Sequence, residues 1–407
     1  MSKYRTLKSL FHEDEGRWQR VYQERFCGEG TLHYPFSIGK YPAFSVLTAE
    51  MVLKGDAVRN LQIQLERLEA EIPCKQVILM DSLFREIEQS NEIEGVRSSR
   101  RDLALALNAK PGTRFAGQLR QYDKLLSGNM EFPRTPAGIR KLYDDMLLLD
   151  IVSEDPGNAP DGMLFRAGPV FVTNGQKTIH TGIMPEPQIM ELMEQSLTLV
   201  QDAGLPFLSR TAVFHFLFGY IHPFYDGNGR LNRFLTSLLI SKELSVLSSL
   251  QLSLAFRGNR KKYYREFEEA EDRLNRGDLT PFILMFLEVL EESLANEVTR
   301  LEERQAKYTE YLAVLGKTGS KTGELVFLEA MLAATLFSVD GVTKKQLMEL
   351  TGRSSSWINN VLRENRDKLE SVREGHENLY RFNEQYLDSL LKTARERPDQ
   401  HVKTGSR

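Results

Sequence analysis

The sequence predicts a mainly α-helical protein built from more than one unit, and three observations carry that prediction. Apolar residues recur at helical spacing, as in Leu231, Phe234, Leu235, Leu238 and Leu239. In the first three quarters of the chain one passage alone is strand-like: Val170-Phe171-Val172-Thr173 and Thr178-Ile179-His180-Thr181, with Asn174-Gly175 between them. Residues 316–323 have the composition of a linker, and a separate apolar pattern follows them. With 407 residues, the chain is long enough for two or three domains with a sizeable core.

Composition excludes several classes. Hydrophobic residues make up 41% and charged residues 27%, the usual balance of a soluble globular protein. The net charge of −3 gives no global pull toward nucleic acid or an anionic membrane. Cys27 and Cys74 supply neither a metal spacing nor a disulfide framework, so a cytoplasmic location is expected. Met1-Ser2-Lys3-Tyr4-Arg5 leads into charged residues, so no targeting segment is expected there. Residues 212–221, the longest apolar stretch, are too short for a membrane span and are interrupted by His215.

In chain order, residues 1–75 open irregularly, with loop or extended structure over 28–44, where Pro35, Gly39 and Pro42 fall. Residues 47–72 read as a helix pair broken at Gly55-Asp56. Residues 77–87 are helical and lead into Ser90-Asn91-Glu92-Ile93-Glu94-Gly95. Further helices follow to residue 150, with breaks at residues 110–112 and 132–136, and residues 155–162 form a loop. The strand-like passage with its Asn-Gly turn is a β-hairpin, whose exposed edge can take an extended peptide by strand addition. Residues 189–200 form a helix. Residues 209–221 are apolar nearly all round, which predicts a buried central helix delivering His222 at its end, with His215 a core histidine.

The most informative stretch is Ile221-His222-Pro223-Phe224-Tyr225-Asp226-Gly227-Asn228-Gly229-Arg230-Leu231-Asn232-Arg233. The Gly-Asn-Gly turn stands where a helix begins, and a helix start suits an anion through its free N–H groups and dipole. Glycines let the backbone approach phosphates closely. Arg230 and Arg233 share one face of that helix. Asp226 offers a hard oxygen ligand for Mg²⁺, and His222 is the residue here that can take a proton near neutral pH. A base, a metal ligand, a phosphate turn and two arginines within a dozen residues point to nucleotide chemistry.

Beyond this stretch, Tyr263 and Tyr264 lie in a helix opened by residues 257–262, Asn275-Arg276-Gly277-Asp278 follows, and residues 282–312 make one or two long helices. After the linker, Thr343 to Gln346 is a capping box, Gly352 a turn, and residues 354–365 another helix. Residues 369–372 and 379–382 flank a β-wing, so residues 324–391 have the pattern of a winged helix-turn-helix domain. Asn359, Asn360 and Arg363 could face a DNA groove. Over 324–391, however, eight Lys/Arg stand against eleven Asp/Glu, a net −3, and dimerisation or target docking is the other reading. The tail from Lys392 is polar and expected to be disordered. The expected domains are 1–75, 76–312 as core, 313–323 as linker, 324–391, and the tail 392–407.

The stretch resembles the signature of the Fic family, His-x-Phe-x-(Asp/Glu)-Gly-Asn-Gly-Arg-x-x-Arg, and meets every fixed position with His222, Phe224, Asp226, Gly227, Asn228, Gly229, Arg230 and Arg233. The resemblance implies a helical core with a β-hairpin flap that moves AMP from ATP, with Mg²⁺, onto a Ser, Thr or Tyr hydroxyl of a target protein or of the chain itself. His222 is then catalytic, with Asp226 as metal ligand. Nucleotide binding is implied for Asp226, Gly227, Asn228, Gly229, Arg230, Arg233, Tyr263, Tyr264 and Asn275, and target binding at the flap for Thr178, Ile179, His180 and Thr181. Ser90-x-x-x-Glu94-Gly95 resembles the family's inhibitory motif, in which Glu94 pairs with Arg233. A homodimer is a further partner expectation. The alternatives are removal of AMP, transfer of another nucleotide-linked group, or a DNA-binding regulator with a nucleotide-sensing core.

Overall fold

The computed structural model describes residues 4–72, 75–107, 109–110, 112–174, 177–317, 322–338, 341–374 and 377–396. The chain forms two compact units. One comprises residues up to 64 and 83–296, the other residues 65–82 and those from 297 on. This division differs from the expected boundaries. Composition marks where a chain turns polar, but one helix can belong to different units at its two ends without any break in sequence.

The first unit opens with α1 (Leu7–Phe11), capped by Thr6, and α2 (Glu15–Phe26), capped by Asp14. Residues 28–44, expected as loop or extended chain, contain a hairpin of β1 (Thr31–Ile38) and β2 (Tyr41–Val46). Pro35 is tolerated because a two-stranded sheet leaves edges free of ladder bonds. The strand-like passage expected near residue 170 is therefore not alone. Helix α3 (Ala49–Glu71) runs straight through Gly55-Asp56, correcting the expected break. One glycine in a helix costs about 1 kcal/mol, and burial of residues such as Val58 offsets that.

Helix α4 (Lys75–Ile93) carries the Ser90 motif on its last turns, and Gly95 leaves it in the left-handed conformation, φ 75°. Then come α5 (Arg100–Leu107), α6 (Ala116–Leu126) and α7 (Pro136–Tyr143). A π-helical turn, Asp144–Leu148, leads into α8 (Leu149–Glu154). Strands β3 (Phe171–Asn174) and β4 (Lys177–Thr181) pair antiparallel, with a register shift after Val172; the turn at residues 175–176 lies outside the described residues. Helices α9 (Glu186–Leu199), α10 (Phe207–Ile221) and α11 (Asn228–Glu243) follow. After them come α12 (Val246–Ser249), α13 (Leu252–Gly258), α14 (Arg260–Glu271) and α15 (Thr280–Leu315). As the sequence predicts, α10 is buried nearly all round, and with α11 it forms the centre of this unit.

In the second unit, α16 (Thr322–Phe337) is followed by β5 (Val342–Thr343), α17 (Lys344–Thr351) and α18 (Ser355–Glu364). Strands β6 (Leu369–Glu374) and β7 (Glu377–Phe382) complete an antiparallel sheet in the order β5-β7-β6. Thr343 and Gln346 cap α17 reciprocally. Helix α19 (Glu384–Glu396) corrects the expectation of a disordered tail from Lys392; Asn383 starts it by accepting the Tyr386 N–H, and Leu390 is buried. Residues 397–407 lie outside the described residues, as does Cys74, while Cys27 is an exposed free thiol.

Candidate functional site

Helix α10 ends at His222 because Pro223 follows and cannot continue it. His222 takes the left-handed conformation, φ 52°, unusual for a residue with a side chain. Arg166 holds it there. This fully buried guanidinium donates to four carbonyls: His222 at 2.8 Å, Gly168 at 2.7 Å, Ile183 at 2.7 Å and Ile221 at 3.3 Å. Nδ1 of His222 lies 3.3 Å from the Gly219 carbonyl, which can only accept. The proton therefore sits on Nδ1 and Nε2 is bare. Burial first, then the neighbouring His180, push the imidazole down to about 4, so the ring is neutral at pH 7.

The loop after His222 is built from below. Phe224 stacks on Tyr143 at 3.7 Å. The Asn228 amide accepts the Phe224 N–H at 2.9 Å and donates to the Phe224 carbonyl at 2.7 Å. The side-chain amide of Asn228 thus closes the loop from within. Gly227, φ 81°, starts α11, and a Cβ there would lie 2.7 Å from the Ile151 side chain.

The start of α11 has an unusual occupant. A Cβ on Gly229 would lie 2.0 Å from Oε1 of Glu94, so that carboxylate rests on the helix start. The same oxygen is 2.8 Å from NH1 of Arg233. Arg233, 1% exposed, also donates from Nε to the Ser90 hydroxyl at 3.0 Å and from NH2 to the Ser90 carbonyl at 2.8 Å. Burial opposes the charge on Glu94, yet Arg233, helped by Arg230 and His222, holds its carboxyl below the usual range. The two halves of the expected inhibitory pair are therefore in contact, and Gly229 is covered by the carboxylate.

Arg230 lies 3.3 Å from Asp226 one turn back. Among the described residues its Nε is a buried donor with no hydrogen-bond partner, as expected where an anion is to arrive. Asp226 is half-exposed. The described residues hold no group of three or more His, Cys, Asp and Glu suited to a metal. A single hard carboxylate suits Mg²⁺ shared with phosphate oxygens and water, and does not suit a closed protein cage.

Other expected residues lie differently. Tyr263 is buried in the core, its hydroxyl 2.7 Å from Nε2 of His215 and its ring against Phe256. Tyr264 is half-buried, with its ring edge-on to Tyr263. Asn275 is fully buried and spends its amide on the Asp278 carbonyl, closing a turn whose Asp278 binds Tyr4 and Arg25. On β4, Thr178 and Thr181 are exposed, and the side chain of Ile179 lies outside what is described. His180 faces inward, bonded to Glu271 at 2.7 Å and to the Tyr220 carbonyl at 2.9 Å, with its ring 6.0 Å from that of His222. Its two ring nitrogens are thus both engaged. Arg166 was missed by sequence reasoning, and no local motif marks it.

Part of this site falls in a segment with known relatives. Residues 133–240 match the family model described as Fic/DOC family. This segment, which holds the stretch from His222 to Arg233, is similar to that family. A probable protein adenylyltransferase of Aquifex aeolicus (strain VF5) is 34% identical over 90 residues, which are 22% of this chain. The match spans 26% of that relative's length, about a quarter of it. A crystal structure of a Fic family protein from Desulfovibrio desulfuricans G20 aligns over 83% of this chain and 97% of that one, with a TM-score of 0.54 and 18% identity. At that identity the likeness concerns the fold alone.

Proposed function

We propose that this chain is a protein adenylyltransferase held in check by its own Glu94. The observation that carries the reading is the Glu94 carboxylate on the start of α11, salt-bridged to Arg233 beside a neutral His222. An anion already sits where the signature expects a phosphate.

With Glu94 withdrawn, ATP phosphates rest on the N–H groups of the Gly227–Arg230 turn and on Arg230 and Arg233. Mg²⁺, held by Asp226, would neutralise charge on those phosphates. Nε2 of His222 takes the proton of a Ser, Thr or Tyr hydroxyl. The hydroxyl oxygen forms a bond to the α-phosphorus, the bond to the α–β bridging oxygen breaks, and its electron pair leaves with pyrophosphate. Such a transfer rests mostly on positioning and charge neutralisation. The β3–β4 hairpin, with Thr178 and Thr181 exposed, is the flap that presents the target. Because the carboxylate covers Gly229, the block acts on phosphate binding as well as on ATP geometry.

The test is incorporation of radiolabelled ATP. Glu94→Gly is expected to raise self-labelling about tenfold or more, since ~1.4 kcal/mol of lost competition is a factor of ten. Arg233→Ala should not mimic it, because the phosphate ligand goes with the brake's partner. A Glu94→Gly protein no more active than wild type sinks the reading, and an equally active Arg233→Ala sinks the competition for that arginine.

For residues 324–391 we infer a winged helix-turn-helix. The order α16, β5, α17, α18, β6, β7 and the Ser354 cap on α18 support it. Asn359, Asn360 and Arg363 are exposed on α18, where a DNA-reading helix would present them. The net −3 of these residues favours docking of a target protein or a second copy of the chain over DNA. No helix among the described residues is long and apolar enough to cross a membrane.

A further inference from the structure

The polar contacts between α4 and α11 keep one register. Glu94 lies on Gly229 and Arg233, Ser90 on Arg233, and Glu86 on Ser237. Each step of four back along α4 meets a step of four forward along α11, so one face of each helix meets the other in antiparallel order. The first two rungs involve the proposed brake. The third has no part in the chemistry of the signature.

Glu86 is fully buried. Its Oε2 accepts the backbone N–H of Ser253 at 2.8 Å, and its Oε1 accepts the Ser253 hydroxyl at 2.6 Å. The Ser237 hydroxyl stands 3.5 Å from Oε1 and donates to the Ser249 carbonyl at 2.9 Å. Arg233 and Tyr122 also face this carboxyl. An apolar side chain would fill such a position at lower cost, because taking a carboxyl out of water is expensive unless every oxygen is satisfied. What the carboxyl provides is a unique fit. If α4 slid along α11, both oxygens would lose the Ser253 donors inside the core, and those donors would lose their acceptor. The ladder therefore has one low-energy register, and that register sets Glu94 on Gly229.

We propose that Glu86 is a positioning residue for the brake: by anchoring α4 to Ser253 and Ser237 it fixes the helix register that delivers Glu94 to Gly229 and Arg233. The proposal rests on the reading of Glu94 as an inhibitory residue. It predicts that Glu86 acts only through Glu94.

The experiment compares label incorporation from ATP and thermal melting for wild type, Glu86→Ala, Glu86→Gln, Glu94→Gly and the double variant Glu86→Ala/Glu94→Gly. Glu86→Ala is expected to raise self-labelling about five- to tenfold, the equivalent of losing one buried hydrogen-bonded anchor. Glu86→Gln keeps an acceptor for the Ser253 N–H and gains a donor for its hydroxyl, so it should stay within about twofold of wild type. The double variant should be no more active than Glu94→Gly. A folded Glu86→Ala protein as quiet as wild type, beside an active Glu94→Gly, overturns the anchor alone. So does an equal rise from Glu86→Ala in the presence and absence of Glu94. A quiet Glu94→Gly overturns the brake and the anchor together. Should Glu86→Ala fail to fold, Ser253→Ala replaces it, with a rise of about two- to threefold expected only when Glu94 is present; no rise overturns the proposal.

Discussion

Two buried arginines flank the site, and they are held in opposite ways. Among the described residues Arg166 hydrogen-bonds to no carboxylate; it donates to four backbone carbonyls, and burial lowers its affinity for the proton. Arg233 is just as buried, but Glu94 overcomes the burial and raises that affinity. The difference separates scaffold from switch. Backbone carbonyls cannot leave without unfolding, so Arg166 fixes the end of α10 permanently. A carboxylate on a helix terminus, 28% exposed, can leave, and the cation it abandons then needs another anion. On the proposed reading, a nucleotide phosphate would supply one. On that reading the base end of the site is permanent and the phosphate end is exchangeable.

The largest effect is expected at the permanent end. In the Glu94→Gly background, His222→Ala should cut AMP transfer by ~10²–10⁴, the usual worth of a positioned base, while ATP binding stays largely intact. The pH dependence of the Glu94→Gly protein, which keeps His222, checks the imidazole. Because its pKa is pushed down to about 4, the bare form persists as pH falls and is lost only on passing through that value. Transfer should stay level from pH 7 to about 5, whereas an unperturbed histidine would already decline near 6.5. Substantial transfer by a folded His222→Ala protein removes His222 from the role of base.

Next in size is the scaffold itself. Arg166→Leu leaves the carbonyls of Gly168, Ile183, Ile221 and His222 without their donor. Unsatisfied buried acceptors cost about 1–3 kcal/mol each, and partial relaxation should leave a loss of ~3 kcal/mol, lowering the melting temperature by roughly 5–10 °C. Activity in the Glu94→Gly background should fall with it, because the left-handed His222 loses its clamp. Arg166→Lys should rescue little, since an ammonium cannot span four separated carbonyls. A lysine that restores both melting temperature and activity would mean that charge, and not the fork of donors, holds the end of α10.

These residues also mark how far the sequence could be read. The stretch from His222 to Arg233 is legible because its geometry is local: a buried helix must end before Pro223, and the next begins after Gly227. Glu94 was legible through the resemblance of its motif, which named its distant partner. Arg166 was not legible, because its role is defined by carbonyls from separate segments, and a carbonyl leaves no trace in side-chain patterns. The side-chain partners of Asn228, Tyr263 and His180 were illegible for a related reason. Their types suit ligand contacts, but Asn228 bonds Phe224, Tyr263 bonds His215, and His180 bonds Glu271 and Tyr220. In the fold, the long helices followed from periodicity. The β1–β2 hairpin was blurred by Pro35 and Pro42, and α3 ignored a glycine that burial could outweigh.

The smallest effect is expected from the hydroxyl of Ser90, and it sharpens the contrast between the two arginines. Ser90 holds Arg233 twice, once through its hydroxyl and once through its carbonyl. Ser90→Ala removes the first contact and keeps the second, as well as the salt bridge to Glu94. A typical hydrogen bond is worth about 0.5–1.5 kcal/mol net, and Arg233 keeps its other partners, so self-labelling should rise roughly two- to tenfold, below Glu94→Gly. The sign depends on what the hydroxyl does. If Ser90 serves the exchangeable arrangement, loosening it favours the phosphate-binding state and labelling goes up. If it serves the permanent scaffold, as the carbonyls do for Arg166, its loss leaves Arg233 misplaced for phosphate and labelling goes down. Measuring Ser90→Ala with and without Glu94→Gly decides between them: a rise confined to the protein that still carries Glu94 assigns Ser90 to the switch, and a fall in both assigns it to the scaffold.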